Sequence, residues 1–98
     1  MAGTSQLLLC DGFIESEGFE KSKRDLMALS GLTDEQIDDR LEALTWEIRR
    51  DASTNTRQIL DNLWVAVIPR GIPPLRIFLC SRPGAQAECE LLWIEERV

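Results

Sequence analysis

The apolar side chains of this 98-residue chain change their spacing near residue 55. Before that point they recur every three or four positions, which gives an α-helix one apolar face. After it, apolar and polar residues tend to alternate, as in a strand with one buried face. We predict a single domain, 1–98, with a frayed N-terminus at 1–5. Its fold class is α+β, because helices and a sheet must bury their apolar faces against each other.

Two helices are predicted before the change, at Glu17–Ser30 and Asp34–Asp51. Gly31 suits the left-handed position that ends a helix, and Thr33 with Gln36 fits a capping box that begins one. The short link between the helices predicts an antiparallel helical hairpin. The predicted apolar faces are Phe19, Leu26, Met27 and Leu29 in the first helix and Ile37, Leu41, Leu44 and Ile48 in the second.

The remaining elements are predicted to be strands and loops. The predicted loops are a turn at Asp11-Gly12, a polar segment at Asp51–Thr56, the proline-containing segment Pro69–Pro74 and a turn at Arg82–Ala85. In the last strand, Cys89, Leu91 and Trp93 are predicted to share one face. The predicted strands are Gln6–Cys10, Leu63–Ile68, Leu75–Cys80 and Glu88–Glu95. The order β-α-α-β-β-β predicts a helical hairpin packed on one face of a small antiparallel sheet, with the other face open to solvent or to a partner.

The net charge of −6 and the pI of about 4.6 disfavour binding to nucleic acid and to anionic membranes. The apolar runs are shorter than the roughly 20 residues that a membrane-spanning helix needs, and the N-terminus lacks the basic start of a signal peptide. We therefore expect a cytoplasmic protein with no membrane partner. In that reducing compartment the three cysteines, Cys10, Cys80 and Cys89, are expected to be buried free thiols.

The chain contains no histidine and no tyrosine. The missing histidine excludes a Ser–His–Asp or Cys–His catalytic site and disfavours a metal site. No glycine-rich phosphate loop is present, so no cofactor is expected. The carboxylates concentrate on the helices, where they are more typical of a solvated surface than of an acid–base pair. These observations leave open whether the protein is an enzyme.

The stretch from Arg57 to Arg82 contains four arginines, Arg57, Arg70, Arg76 and Arg82, and one acid, Asp61. Arg76 lies in the middle of a predicted strand, where burial without a partner would be costly. It must pair with an acid (Glu88, Glu90 or Asp61), reach the rim of the sheet, or face a groove that binds phosphate or a protein.

The three tryptophans, Trp46, Trp64 and Trp93, also need a place in the structure. Core packing is one interpretation of Trp64 and Trp93, which lie in predicted strands. Alternatively, an exposed tryptophan beside the arginines would form a binding hot spot. Trp64 is therefore a candidate binding residue.

The segment Phe19–Val98 resembles the RelE/ParE superfamily of bacterial toxins from toxin–antitoxin modules. The resemblance lies in the order and spacing of its parts. These are the helical hairpin Phe19–Arg50, the strand Leu63-Trp64-Val65, the strand Leu75-Arg76-Ile77-Phe78, which is similar to the family pattern R-[VI]-[FIL]-Y, and the closing strand Leu91-Leu92-Trp93-Ile94.

The resemblance implies a growth inhibitor that cleaves RNA or acts on gyrase, neutralised by an antitoxin segment laid over its sheet or helices. Arg76 would occupy an active-site position, and Arg57, Arg70 and Arg82 would bind phosphate nearby. The chain departs from the family pattern in having Leu79 where the tyrosine is often found, and its end lacks a basic, aromatic tail. A degenerate member and an active nuclease both remain open. The alternative is a non-enzymatic protein–protein interaction module, or a small homo-oligomer, that uses the open sheet face.

Overall fold

A computed structural model describes residues 12–50, 56–68, 71, 73–82 and 88–97, and it confirms the α+β fold class. The elements are β1 (Gly12–Glu15), α1 (Glu17–Ser30), α2 (Asp34–Arg50), β2 (Thr56–Leu60), β3 (Leu63–Ile68), β4 (Leu75–Ser81) and β5 (Glu88–Glu96). The strands form one sheet in the order β1-β5-β4-β3-β2. Among the described helices, none is long and apolar enough to cross a membrane.

The helix ends follow from local hydrogen bonds, as the sequence predicts. Gly31 has a φ of 77°, and its N–H donates to the carbonyl of Met27. At the start of α2, the N–H of Gln36 donates to Thr33 Oγ1 over 3.2 Å, while the N–H of Thr33 donates to Gln36 Oε1 over 2.9 Å. Both halves of the capping box are therefore formed.

The core lies between the helical hairpin and one face of the sheet. Alternate residues of β4, namely Leu75, Ile77 and Leu79, are buried there. Leu29 is the exception among the predicted core residues, because it is 86% exposed. The buried face of α1 consists of Phe19, Leu26 and the polar residue Ser22. The other buried apolar residues are Phe19, Leu26, Ile37, Leu41, Leu44, Ile48, Trp64, Ala66, Ile68, Cys89, Leu91 and Ile94.

The sheet has one strand more than predicted after the helices. Thr56, predicted to end a loop, begins β2, which pairs antiparallel with β3 across the turn Asp61-Asn62. Asn62 has a φ of 55°, a conformation that asparagine tolerates better than most residues. Its amide group also exchanges hydrogen bonds with Ser81, which attaches this turn to the end of β4.

The first described strand begins within the predicted turn at Asp11-Gly12. Gln6–Cys10 lies outside the described residues, and Gly12, predicted to be part of a turn, begins β1. β1 pairs parallel with β5, so the sheet is mixed and not purely antiparallel. β1 covers the edge of β5 that the antiparallel meander would otherwise leave unpaired.

A bulge in β5 changes which side chains face the core. The register shifts between the pairs Phe78–Trp93 and Leu79–Leu91, so Leu92 is an extra residue in β5. Cys89 and Leu91 share one face, as predicted, and this face lies toward the helices, but beyond the bulge Ile94 takes the core position. The prediction that Trp93 shares their face is therefore wrong, and Trp93 lies on the opposite face of the sheet.

Candidate protein-binding face of the sheet

The sheet face opposite the helices, called the open face below, carries a row of paired side chains across four strands. Arg57 of β2 pairs with Val65 of β3, Val65 pairs with Phe78 of β4, and Phe78 pairs with Trp93 of β5. Neighbouring strands lie about 4.8 Å apart, so this row of four side chains, called the aromatic row below after Phe78 and Trp93, is about 14 Å long. Trp93 is 39% exposed, which leaves part of its indole ring accessible.

Arg76 lies on the open face beside the aromatic row, paired across the strands with Glu95. Its Nε donates to Glu95 Oε2 over 2.6 Å, and its Nη2 forms an ion pair with the same oxygen. Trp93 Nε1 donates to the other carboxylate oxygen, Glu95 Oε1, over 3.1 Å. The Arg76 guanidinium carbon also lies 5.7 Å from the centre of the Phe78 ring. Glu95 therefore holds both the arginine and the tryptophan in place.

This geometry decides between the interpretations of Arg76. The side chain pairs with an acid, but its partner is Glu95 and none of the three candidates expected from the sequence. Both oxygens of Glu95 accept hydrogen bonds, so the pair is a nearly neutral, ordered unit. Such a unit is less suited to neutralise a phosphate than an unpaired arginine, and better suited to the polar part of a protein interface.

The other predicted site residues lie at different places. Arg57 joins Arg76 on the open face, two strands away. Arg82 follows the end of β4, about 20 Å along the strand from Arg76, and its Nη1 lies 3.9 Å from Glu88 Oε2. Arg70 lies outside the described residues. The structure thus brings Arg57 and Arg76 to one face but does not bring Arg82 to them.

Trp64, the tryptophan predicted to bind, is 4% exposed and packs in the core between sheet and helices. It pairs across the strands with Leu79, which faces the helices. Trp64 is therefore not accessible to a partner, and the exposed tryptophan of the sheet is Trp93. Sequence reasoning also missed Glu95. The alternation of side chains along β5 did not point to Trp93 or to Glu95 as open-face residues. The reason is that the bulge at Leu92 reverses which side chains face the core.

Cys80 lies on the open face next to Glu90 and is a free thiol. Burial raises the pKa of the Cys80 thiol, and the negative charge of Glu90 raises this pKa further. The protonated thiol is a poor nucleophile. Within the part of the chain that the structure describes, no group of three or more Cys, Asp or Glu residues could hold a metal ion.

Comparison of the chain with protein-family models, with curated proteins and with solved structures found no match. The resemblance to the RelE/ParE superfamily therefore stays a prediction.

Proposed function

We propose that this protein is a binding module that holds a protein partner on the open face of its sheet. The observation that carries the proposal is the aromatic row ending in Trp93, ordered by the Arg76–Glu95 pair. Tryptophan and arginine are the residues that most often dominate the free energy of protein–protein binding. The row also follows four strands of a rigid sheet, so little conformational entropy is lost when a partner binds.

The chemistry of the row favours a partner with an apolar centre and a polar rim. Phe78 and Trp93 offer aromatic area, Arg57 adds a positive charge at one end, and Glu95 lies at the other. A partner chain with an apolar side chain over Trp93 and an acidic group near Arg57 would match this arrangement.

Site-specific photo-crosslinking tests the binding surface directly. The crosslinking amino acid p-benzoylphenylalanine would replace Trp93 in the full chain, expressed in cells. Replacement of Leu29, which is 86% exposed on α1, gives the matched control. We expect one defined adduct from position 93 that is missing from position 29. Light scattering of the purified protein then shows whether that partner is a second copy of this chain.

A substitution then measures the contribution of the tryptophan. Trp93→Ala should weaken binding of the crosslinked partner at least tenfold, or about 1.4 kcal/mol, as expected for a hot spot. An exposed substitution elsewhere, Leu29→Ala, should leave it unchanged. Identical adducts from both positions, or unchanged affinity for Trp93→Ala, would exclude the open face as the binding surface.

A second candidate function is that of a RelE/ParE-like toxin acting in the cytoplasm on RNA or gyrase and held by an antitoxin-like segment. It is supported by the order of elements and by the position of Arg76 in the middle of an open sheet face. Expression of the chain alone in bacteria tests it. Growth arrest that is relieved by Arg76→Ala but not by Arg24→Ala, an exposed arginine on α1, would support it. Normal growth of cells that accumulate the folded wild-type protein would count against it.

A further inference from the structure

The aromatic row of the open face is complementary to itself when its direction is reversed. It runs from Arg57 through Val65 and Phe78 to Trp93, with a positive charge at one end and a tryptophan at the other. Consider a second copy of the chain facing the first about a two-fold axis that runs along the strands, midway between Val65 and Phe78. The Arg57 of each copy then lies opposite the Trp93 of the other, because a two-fold axis uses the same surface on both subunits.

Both ends of the row can take part in such a contact. Arg57 is exposed on β2, and among the described residues none forms an ion pair with its guanidinium. Trp93 is 39% exposed at the other end. Its indole N–H donates to Glu95, but the cation–π contacts within the described part of the chain are all made to other rings. A partner can therefore reach the exposed part of the Trp93 ring.

A carboxylate lies where the arginine of a second copy would arrive. Glu90 pairs across the strands with Cys80, two residues along β4 from Phe78, so it lies on the open face about 7 Å along β5 from Trp93. No described residue forms an ion pair with Glu90. Within one chain, Arg57 and Glu90 lie about 14 Å apart across the sheet, which is too far for them to pair with each other.

The centre of the row and the charge around it also suit a second copy. Val65 is 9% exposed between the larger side chains of Arg57 and Phe78, so the row is lowest there, and the Phe78 of a second copy would lie over it. The row is surrounded by two arginines, Arg57 and Arg76, and two carboxylates, Glu90 and Glu95. These four charges balance, so the net charge of −6 does not arise on this part of the surface.

We propose that the partner held on the open face is a second copy of this chain, in a two-fold symmetric dimer whose sheets pack face to face. At each end of the interface, the aliphatic part of one Arg57 lies over the Trp93 of the other copy, and its guanidinium pairs with Glu90. Sheets that pack in this way lie about 10 Å apart with their strands within about 30° of each other, so the two rows face each other along their length. The inference rests on the open face being the binding surface, as proposed above, and adds the identity of the partner.

Sedimentation equilibrium of the full chain over a range of concentrations tests the dimer. We expect the mass of the wild type to approach that of two chains, and we expect Trp93→Ala and Arg57→Glu each to raise the dissociation constant at least tenfold. Arg24→Glu makes the same change of charge on the exposed side of α1 and should dimerise like the wild type. A wild type that stays monomeric would overturn the inference. If photo-crosslinking at position 93 then captured another protein, the proposed function would stand without it.

A mixture of two variants tests the two-fold pairing itself. Arg57→Glu and Glu90→Arg should each dimerise poorly alone, because each places like charges at both ends of its own interface. In a mixed dimer both ends again join an acidic and a basic side chain, so native mass spectrometry of an equimolar mixture should find the heterodimer in excess of both homodimers. Both variants keep a net negative charge, so general attraction between the chains does not explain such a result. Homodimers as abundant as the heterodimer, or monomers alone from variants that retain the circular dichroism of the wild type, would contradict the pairing.

Discussion

Ser22 is the polar residue that joins α1 to the sheet. It is 2% exposed, its hydroxyl donates to the carbonyl of Phe19 over 2.8 Å, and its oxygen accepts the N–H of Ile94 over 2.9 Å. β1 ends at Glu15 and pairs with β5 only as far as Leu91, so Ile94 has no partner strand on that side. Ser22 thus supplies the acceptor that a longer β1 would have supplied.

Substitution Ser22→Ala should therefore destabilise the protein by about 1–3 kcal/mol, the cost of leaving a buried N–H without an acceptor. The free energy of unfolding in urea measures the effect, and the amide of Ile94 should also exchange faster with solvent. The control is Thr45→Ala, which removes a hydroxyl from the exposed side of α2 and should change stability by less than about 0.5 kcal/mol. Equal effects of the two substitutions would refute the role given to Ser22.

Cys89 is the residue whose chemistry differs most from its sequence interpretation. It is completely buried and disulfide-bonded, so the prediction of a free thiol is wrong at this position, whereas Cys80 is free as predicted. Cys10 lies outside the described residues. Disulfides are rare in reducing compartments, and the cytoplasmic location stays a prediction.

Reduction should measurably weaken the fold. Removing a native disulfide from a small domain typically costs about 2–5 kcal/mol, so a reducing agent should lower the free energy of unfolding by an amount in that range. Thiol labelling in denaturant should find that Cys80 reacts before reduction and that Cys89 reacts only after it. Cys80→Ser should leave the loss of stability on reduction unchanged. Three reactive thiols in protein purified without reductant would contradict the bond.

At the scale of elements, the helical hairpin is held by Lys23, which links α1 to the first turn of α2. Its Nζ lies 2.5 Å from Asp34 Oδ1 and 2.6 Å from Asp38 Oδ1. Partial burial lowers the pKa of Lys23, but its hydrogen bonds to Asp34 and Asp38 and the charges of both carboxylates raise it, and the net result is a pKa above the usual 10.5. The folded state therefore holds this proton more tightly than the unfolded chain does.

This linkage predicts the alkaline stability of the protein. The contribution of Lys23 should be complete below pH 10.5 and should be lost as pH rises through its higher folded-state pKa. Lys23→Met should remove this part of the loss of stability at alkaline pH. Lys21, the only other lysine, is exposed on the same helix, so Lys21→Met is the control. The free energy of unfolding of this variant should fall with rising pH as that of the wild type does. Urea denaturation at a series of alkaline pH values makes the measurement, and parallel curves for all three proteins would refute the linkage.

The loop before β4 shows how one element constrains another. Gly71 has a φ of 96°, and a Cβ atom at this position would lie 2.5 Å from the guanidinium carbon of Arg40. Arg40 reaches this loop from α2 and donates to the carbonyl of Pro73. A larger residue at 71 would be strained by its backbone and would displace this arginine. Arg40 therefore connects α2 to Gly71 and Pro73, which precede β4.

At the scale of the whole molecule, the two layers expose different chemistry. The sheet carries the aromatic row with the Arg76–Glu95 pair on its open face, and the outer side of α2 carries Trp46 among carboxylates. The core lies between these two surfaces, so a substitution on one surface is not expected to disturb the other.

The sequence alone determined the parts of this protein that depend on neighbouring residues. The bounds of α1, the capping box at Thr33 and the strand Leu63–Ile68 agree with the structure, because hydrogen bonds and side-chain spacing within a few residues specify them. The turn Asp61-Asn62 was a further local signal, since two such residues between extended segments are typical of a hairpin, and it could have revealed β2.

Only the tertiary structure decided what depends on contacts between distant segments. The parallel pairing of β1 with β5, the bulge at Leu92, and the choice of Glu95 as the partner of Arg76 all follow from strand register. Because side chains alternate along a strand, a single extra residue moves Trp93 from the core to the open face while Trp64 stays buried. The candidate site was therefore hidden from sequence patterns, since one unpaired residue in the last strand decides which tryptophan a partner can reach.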